Sequence, residues 1–91
     1  MEKINVNSND YEIIKDYKNG YNKDEFISLC TDYFKDFDFI VGDWAYGKLR
    51  LKGFYNSNSK KCNDINNIEN LDSYIKNNCA FDCKYFVAKR I

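Results

Sequence analysis

The stretch from Phe39 to Tyr55, FIVGDWAYGKLRLKGFY, constrains this chain more than any other part of it. Phe39-Ile40-Val41 is a run of strand-forming apolar residues. From Lys48 to Tyr55 the pattern alternates, which places Leu49 and Leu51 on one strand face and Lys48, Arg50 and Lys52 on the other. Gly42 and Gly47 bracket Asp43-Trp44-Ala45-Tyr46, the mark of a turn or a sharply bent strand. Gly53 predicts a bulge or a close backbone approach. Two such strands in succession call for a sheet.

The flanking sequence supplies more strands and two helices. Ile4 to Asn7 and Tyr11 to Tyr17 read as strands around the turn signal Ser8-Asn9-Asp10, and Gly20 ends that unit. Phe26, Leu29, Cys30, Tyr33, Phe34 and Phe37 follow the spacing of one face of an amphipathic helix. Asn22 is its predicted cap, Glu25 completes a capping box, and Tyr21 and Phe26 occupy the two positions of a hydrophobic staple. Asn56 to Lys61 reads as a loop, the most mobile part by composition. Residues from about Asn67 to Asn78 predict a second helix with Ile68, Leu71 and Ile75 inward, and Lys84 to Ile91 a last strand. The expected architecture is α+β, a mostly antiparallel sheet with two helices in the order ββαββαβ. The chain's 91 residues suit one domain, residues 1–91.

Several function classes have little to stand on. There is no His, no Gly-rich phosphate loop and no Gly-x-Ser-x-Gly, and the four cysteines include no C-x-x-C pair. Cys79 and Cys83 are the nearest two, so neither a metal nor another cofactor is expected. No apolar run approaches the roughly 18 residues of a membrane span, and MEKINVNSND lacks a signal-peptide core. A cytoplasmic protein with all four cysteines as thiols, and no membrane partner, is the expectation.

The charges cancel overall but segregate along the chain. Residues 1–38 carry nine acids against five lysines, and residues 39–62 carry five bases against Asp43 alone. If Trp44 to Phe54 ran as one extended strand, Trp44, Tyr46, Lys48, Arg50, Lys52 and Phe54 would share a face. Rings for base stacking would then alternate with phosphate contacts, and Lys60 and Lys61 would lengthen the track. If instead Gly47 breaks the strand, Trp44 and Tyr46 turn into the core. The same aromatics and Arg50 would equally serve a protein interface.

The residues Ile40-Val41-Gly42-Asp43-Trp44-Ala45-Tyr46-Gly47-Lys48-Leu49-Arg50-Leu51-Lys52-Gly53-Phe54 resemble a known family. So do Leu71-Asp72-Ser73-Tyr74-Ile75 and Cys79-Ala80-Phe81-Asp82-Cys83-Lys84-Tyr85-Phe86-Val87. The family is that of the YutD-like proteins, small cytosolic proteins of Firmicutes and their wall-less relatives. The resemblance implies a small α+β domain and carries over no catalytic residue. Ala45 and Asp82 stand where members usually have Gly, so neither position demands positive φ. The expectation is therefore a non-catalytic binding protein. RNA or the ribosome is the foremost partner, through Trp44, Tyr46, Lys48, Arg50, Lys52, Lys60 and Lys61. A protein–protein interaction module is the alternative, ahead of a small enzyme using Asp43 or Cys79 and Cys83.

Overall fold

The computed structural model describes residues 2–78 and 83–91. It contains β1 (Lys3–Val6), β2 (Asn9–Tyr17), α1 (Lys23–Leu29), β3 (Phe39–Ala45), β4 (Lys48–Phe54), α2 (Leu71–Asn78) and β5 (Tyr85–Arg90). This is the ββαββαβ order that the patterning predicts. The strands form one sheet in the spatial order β1-β2-β5-β3-β4, with every neighbour antiparallel. No helix among the described residues is long and apolar enough to cross a membrane.

Both sheet faces are covered, which explains why the inner strands read as continuous apolar runs rather than as strict alternation. On one face Ile4, Val6, Tyr11, Ile13, Ile40, Leu49, Phe86 and Ala88 pack with Phe26 and Cys30, at and just beyond α1. On the other, Phe39, Val41, Phe54, Tyr85 and Val87 meet Leu71, Tyr74 and Ile75 of α2, with Ile68 from the 3-10 turn before it. Phe26 is fully buried and makes edge-to-face contacts with Tyr11 and Phe86, at centroid distances of 5.9 and 5.3 Å.

Two tight turns set the hairpin registers. Asn7 and Ser8 carry φ of 52° and 67° between β1 and β2, so this turn lies one residue earlier than the Ser8-Asn9-Asp10 signal implies. Gly53 confirms the expected close approach: a Cβ built there would lie 2.2 Å from the Phe37 ring.

The first helix begins as read. The Asn22 side chain accepts the Glu25 N–H at 3.1 Å, and the Tyr21 and Phe26 rings lie 6.3 Å apart as a staple. It ends sooner than the apolar spacing predicts, at Leu29, and a separate 3-10 turn spans Asp32–Phe34. The cause is tertiary. The Cys30 carbonyl accepts the Asn7 side-chain amide instead of continuing the helical ladder, and Thr31 is extended. The stripe consequently splits: Phe26 and Cys30 are buried, Phe34 and Phe37 half-buried, and Tyr33 is 72% exposed.

These burials rank two substitutions. Phe26→Ala should cost about 3–5 kcal/mol by leaving a cavity that neighbouring rings cannot fill. Phe34→Ala should cost only about 1–2 kcal/mol, since its side chain is partly solvated in the native state. Urea unfolding of both variants checks the order, and equal costs would contradict it.

Candidate functional site

The β3–β4 hairpin turns on Tyr46 and Gly47, with φ of 54° and 75°, the primed geometry that matches strand twist. Gly adopts this freely, whereas a Tyr in the left-handed region costs about 1–2 kcal/mol. Tyr46 points straight into solvent, at 102% relative exposure.

This turn decides the fate of the expected stacking platform. The hairpin pairs Trp44 with Leu49, Asp43 with Arg50 and Val41 with Lys52, and directly opposed residues share a face. Lys48, Arg50, Lys52 and Phe54 therefore stay together on the α2 face, but Trp44 lies on the opposite one with Leu49 and Leu51. The single face of Trp44, Tyr46, Lys48, Arg50 and Lys52 does not form, because the chain reverses in the middle of it. Trp44 packs against the α1-side core, donates Nε1–H to the Gly20 carbonyl at 2.7 Å, and takes the Lys84 ammonium over its ring at 4.5 Å. Of the two aromatics, Trp44 lies half-buried against the core and Tyr46 stays wholly outside it.

Arg50 is also engaged within the molecule. Its Nε donates to Asp43 Oδ1 at 2.9 Å, and the Tyr74 hydroxyl donates to Asp43 Oδ2 at 2.9 Å. Asp43 itself is 1% exposed. A buried carboxylate is tolerated where such donors replace water, and this one clips α2 to the β3–β4 hairpin. Burial first, and then the Asp43 charge, push the Tyr74 hydroxyl up to about 12, while the Asp43 hydrogen bond and charge raise Arg50. Asp43 thus acts as an acceptor for two side chains. Lys52 lies over the Phe54 and Tyr74 rings, at 5.3 and 5.7 Å.

Lys60 and Lys61 are exposed in the connection after β4. That connection is a succession of turns rather than a featureless loop. Asn63 Oδ1 accepts the Ile65 and Asn66 N–H groups at 2.9 and 3.0 Å, and Asn66 Oδ1 accepts the Asn63 N–H at 2.7 Å. Ile65 stands 75% exposed on it.

Among the described residues, three grooves lie beside β4. One of about 270 Å³ is lined by Glu25, Leu29, Trp44 and Leu49. A second, of about 300 Å³, lies among Tyr33, Phe34, Phe37, Leu51 and Ile65. The third, about 410 Å³, runs from Lys52 and Ile65 to Ser73 and Tyr74 of α2. Tyr33, Phe37, Ile65 and Tyr74 are missing from the sequence-based site. Tyr33 and Phe37 fall on the apolar stripe that begins at Phe26 and Tyr74 on the helical spacing of Leu71 and Ile75, signals that point to core rather than to a site, and Ile65 carried none.

The cysteines divide. Cys30 is buried, with its thiol raised by burial, and Cys62 is half-buried; both are free. Cys83 is disulfide-bonded, which corrects the expectation of four thiols and removes it as a ready nucleophile. Cys79 lies outside the described residues. Among the described residues no group of three or more Cys, Asp or Glu is placed to hold a metal ion.

The family model described as "Putative antitoxin YutD-like" matches residues 5–89. This chain belongs to the YutD-like family. "Putative antitoxin YutD" of Bacillus subtilis strain 168 is 41% identical over 88 residues, 97% of each chain. The solution NMR structure of YutD from B. subtilis matches with a TM-score of 0.83 at 40% identity, covering 100% of this chain and 83% of that one. The YutD-like fold is therefore this five-stranded antiparallel sheet with its two helices.

The clip gives a test in alkali. Tyr74 has a folded pKa of about 12 against 10.0 for the ordinary phenol. Its stabilising share is fully present below pH 10 and is lost as the pH rises through about 12. Tyr74→Phe should lower stability near neutrality and flatten the loss between these values, as read by denaturant unfolding at several pH values. A slope identical to that of the native chain would show that the Tyr74 hydroxyl does not contribute.

Proposed function

We propose that this chain is a non-catalytic module that binds a partner protein through the surface around β4. The name antitoxin, given to its relatives, implies a toxin as counterpart, which makes the partner a protein. The observation that carries the reading is the set of large side chains left in water around that strand. Tyr33, Tyr46 and Ile65 are 72%, 102% and 75% exposed, beside grooves walled by Leu29, Phe34, Phe37 and Leu51. Aromatic and aliphatic anchors next to apolar recesses, with Arg50 and lysines at the rim, are the composition of an interface centre.

Tyr46 adds support of another kind. Keeping a Tyr at a left-handed turn position lowers stability, and such local cost is characteristic of surfaces kept for contact. Tyr46→Asn, which places Asn-Gly in the turn, should raise stability by about 0.5–1 kcal/mol and weaken partner binding. A thermal melt together with a binding isotherm checks both halves.

The exposure of Tyr46 next to Lys48 also favours a second reading, RNA or the ribosome. In it Tyr46 stacks on a base while Lys48, Arg50, Lys52, Lys60 and Lys61 meet phosphates, and Trp44 drops out because it lies on the opposite sheet face. Affinity capture from the native lysate, with and without ribonuclease, separates the two. A protein partner should survive nuclease and high salt. It should be lost when Tyr33→Ser and Ile65→Ser are combined, at about 2 kcal/mol or more for a central anchor. RNA binding would vanish with nuclease and weaken with salt by a log–log slope of about 0.7 per phosphate contact.

A further inference from the structure

We infer that β4 is a docking edge that receives, as a sixth strand, an extended segment of a partner protein alternating apolar and acidic residues. The inference rests on the protein-partner reading and specifies its geometry. Strand β4 lies at one border of the sheet, paired as a strand to β3 alone; just past its end the Tyr55 N–H and C=O are taken by Asn66 and Ile68, so the open part of this edge ends at Gly53. In a hairpin closed by two residues, the pair flanking the turn exchanges both backbone hydrogen bonds and bonded pairs then alternate. Ala45 with Lys48, Asp43 with Arg50 and Val41 with Lys52 are the bonded rows. Leu49, Leu51 and Gly53 consequently direct their N–H and C=O groups away from β3, and among the described residues none of the three takes part in a backbone hydrogen bond outside the strand ladder. Those groups form a ready template for strand addition.

The side chains on the two faces of this edge specify different partners. On the α1 face, the groove beside Leu49 and the groove beside Leu51 succeed one another along the strand. Same-face side chains of an added strand repeat about every 6.8 Å, so alternate apolar residues reach successive recesses. On the α2 face Lys48, Arg50 and Lys52 follow at the same repeat, and the incoming residues between the apolar ones would be Asp or Glu. The same three bases argue against a second copy, because antiparallel pairing of β4 with itself would set like charges against each other. Lysines on an edge strand can also serve only to keep neighbours away. Recesses built from Leu29, Trp44, Phe34 and Phe37 on the opposite face are not needed for that.

The probe is a synthetic peptide alternating Val and Glu, titrated into the isotope-labelled full chain. Binding should slow amide exchange at Leu49, Leu51 and Gly53 above other positions. A peptide N-methylated at alternate residues, in the register that faces β4, should bind at least about tenfold more weakly. Lys48→Glu combined with Lys52→Glu should abolish binding of the Glu peptide and admit a Val–Lys peptide, a charge swap that an unfolded variant could not produce. Absence of peptide binding, or binding indifferent to N-methylation and charge, overturns the edge inference. If the Lys48→Glu, Lys52→Glu chain still captures its partner protein from lysate, the dock lies elsewhere and the protein-partner reading stands. If the native chain captures no protein, both fall.

Discussion

The two hairpins of this molecule are joined into one sheet by a single strand. β1 pairs with β2 and β3 with β4, but β2 and β3 never touch as strands; Tyr85–Arg90 lies between them and bonds to both. Its side chains alternate between the two cores, with Phe86 and Ala88 on the α1 side and Tyr85 and Val87 on the α2 side. The seat is reinforced at its end. Arg90 reaches the Lys35 carbonyl at 2.8 Å and Asp38 Oδ1 at 3.2 Å, fixing the segment that leads into β3. Because this strand takes the centre, β1 and β4 are left as the borders, and the open side of β4 follows from where β5 sits.

Covering both faces of a five-stranded sheet with so few residues leaves the helices short and dependent on particular contacts. α1 has seven residues and α2 eight, lengths that are marginal as isolated helices. Phe26 holds the first by burial. The second combines burial of Leu71 and Ile75 with the Tyr74–Asp43 bond, and Arg50 completes the coordination of that carboxylate from β4. A buried charge with its donors in place is costly to disturb and specific in position. It fixes how α2 sits over the hairpin, and with it the groove between Lys52 and Tyr74.

Much of the fold was legible because its signals are local. Alternation at Leu49 and Leu51, apolar runs at Phe39–Val41 and Tyr85–Ala88, and the Asn22 cap each act within a few residues. The features that escaped depend on distant partners or on parity. Nothing near Cys30 announces that Asn7 will take its carbonyl, so the spacing through Phe37 overstates the helix. Trp44 and Lys48 are four residues apart, a shared face in one strand and opposite faces once the chain reverses at Tyr46. The Asp43–Arg50 pair was concealed in the same way, by a register only the turn defines. Of the candidate site, Lys48, Arg50 and Lys52 stay together as read, Tyr46 projects into solvent at the tip, and Trp44 packs half-buried against the core on the other face.

The central position of β5 also shapes how the molecule assembles. Each hairpin closes between neighbours in sequence, at turns of two residues, and such events are fast. Joining them requires Tyr85–Arg90 to reach the place between β2 and β3 after the long excursion through α2 that follows Phe54. The loop entropy of that excursion is lost before any β5 contact returns it. Wherever β5 is not yet docked, the inner borders of β2 and β3 have no strand between them and are as open to other chains as β4 is in the finished fold.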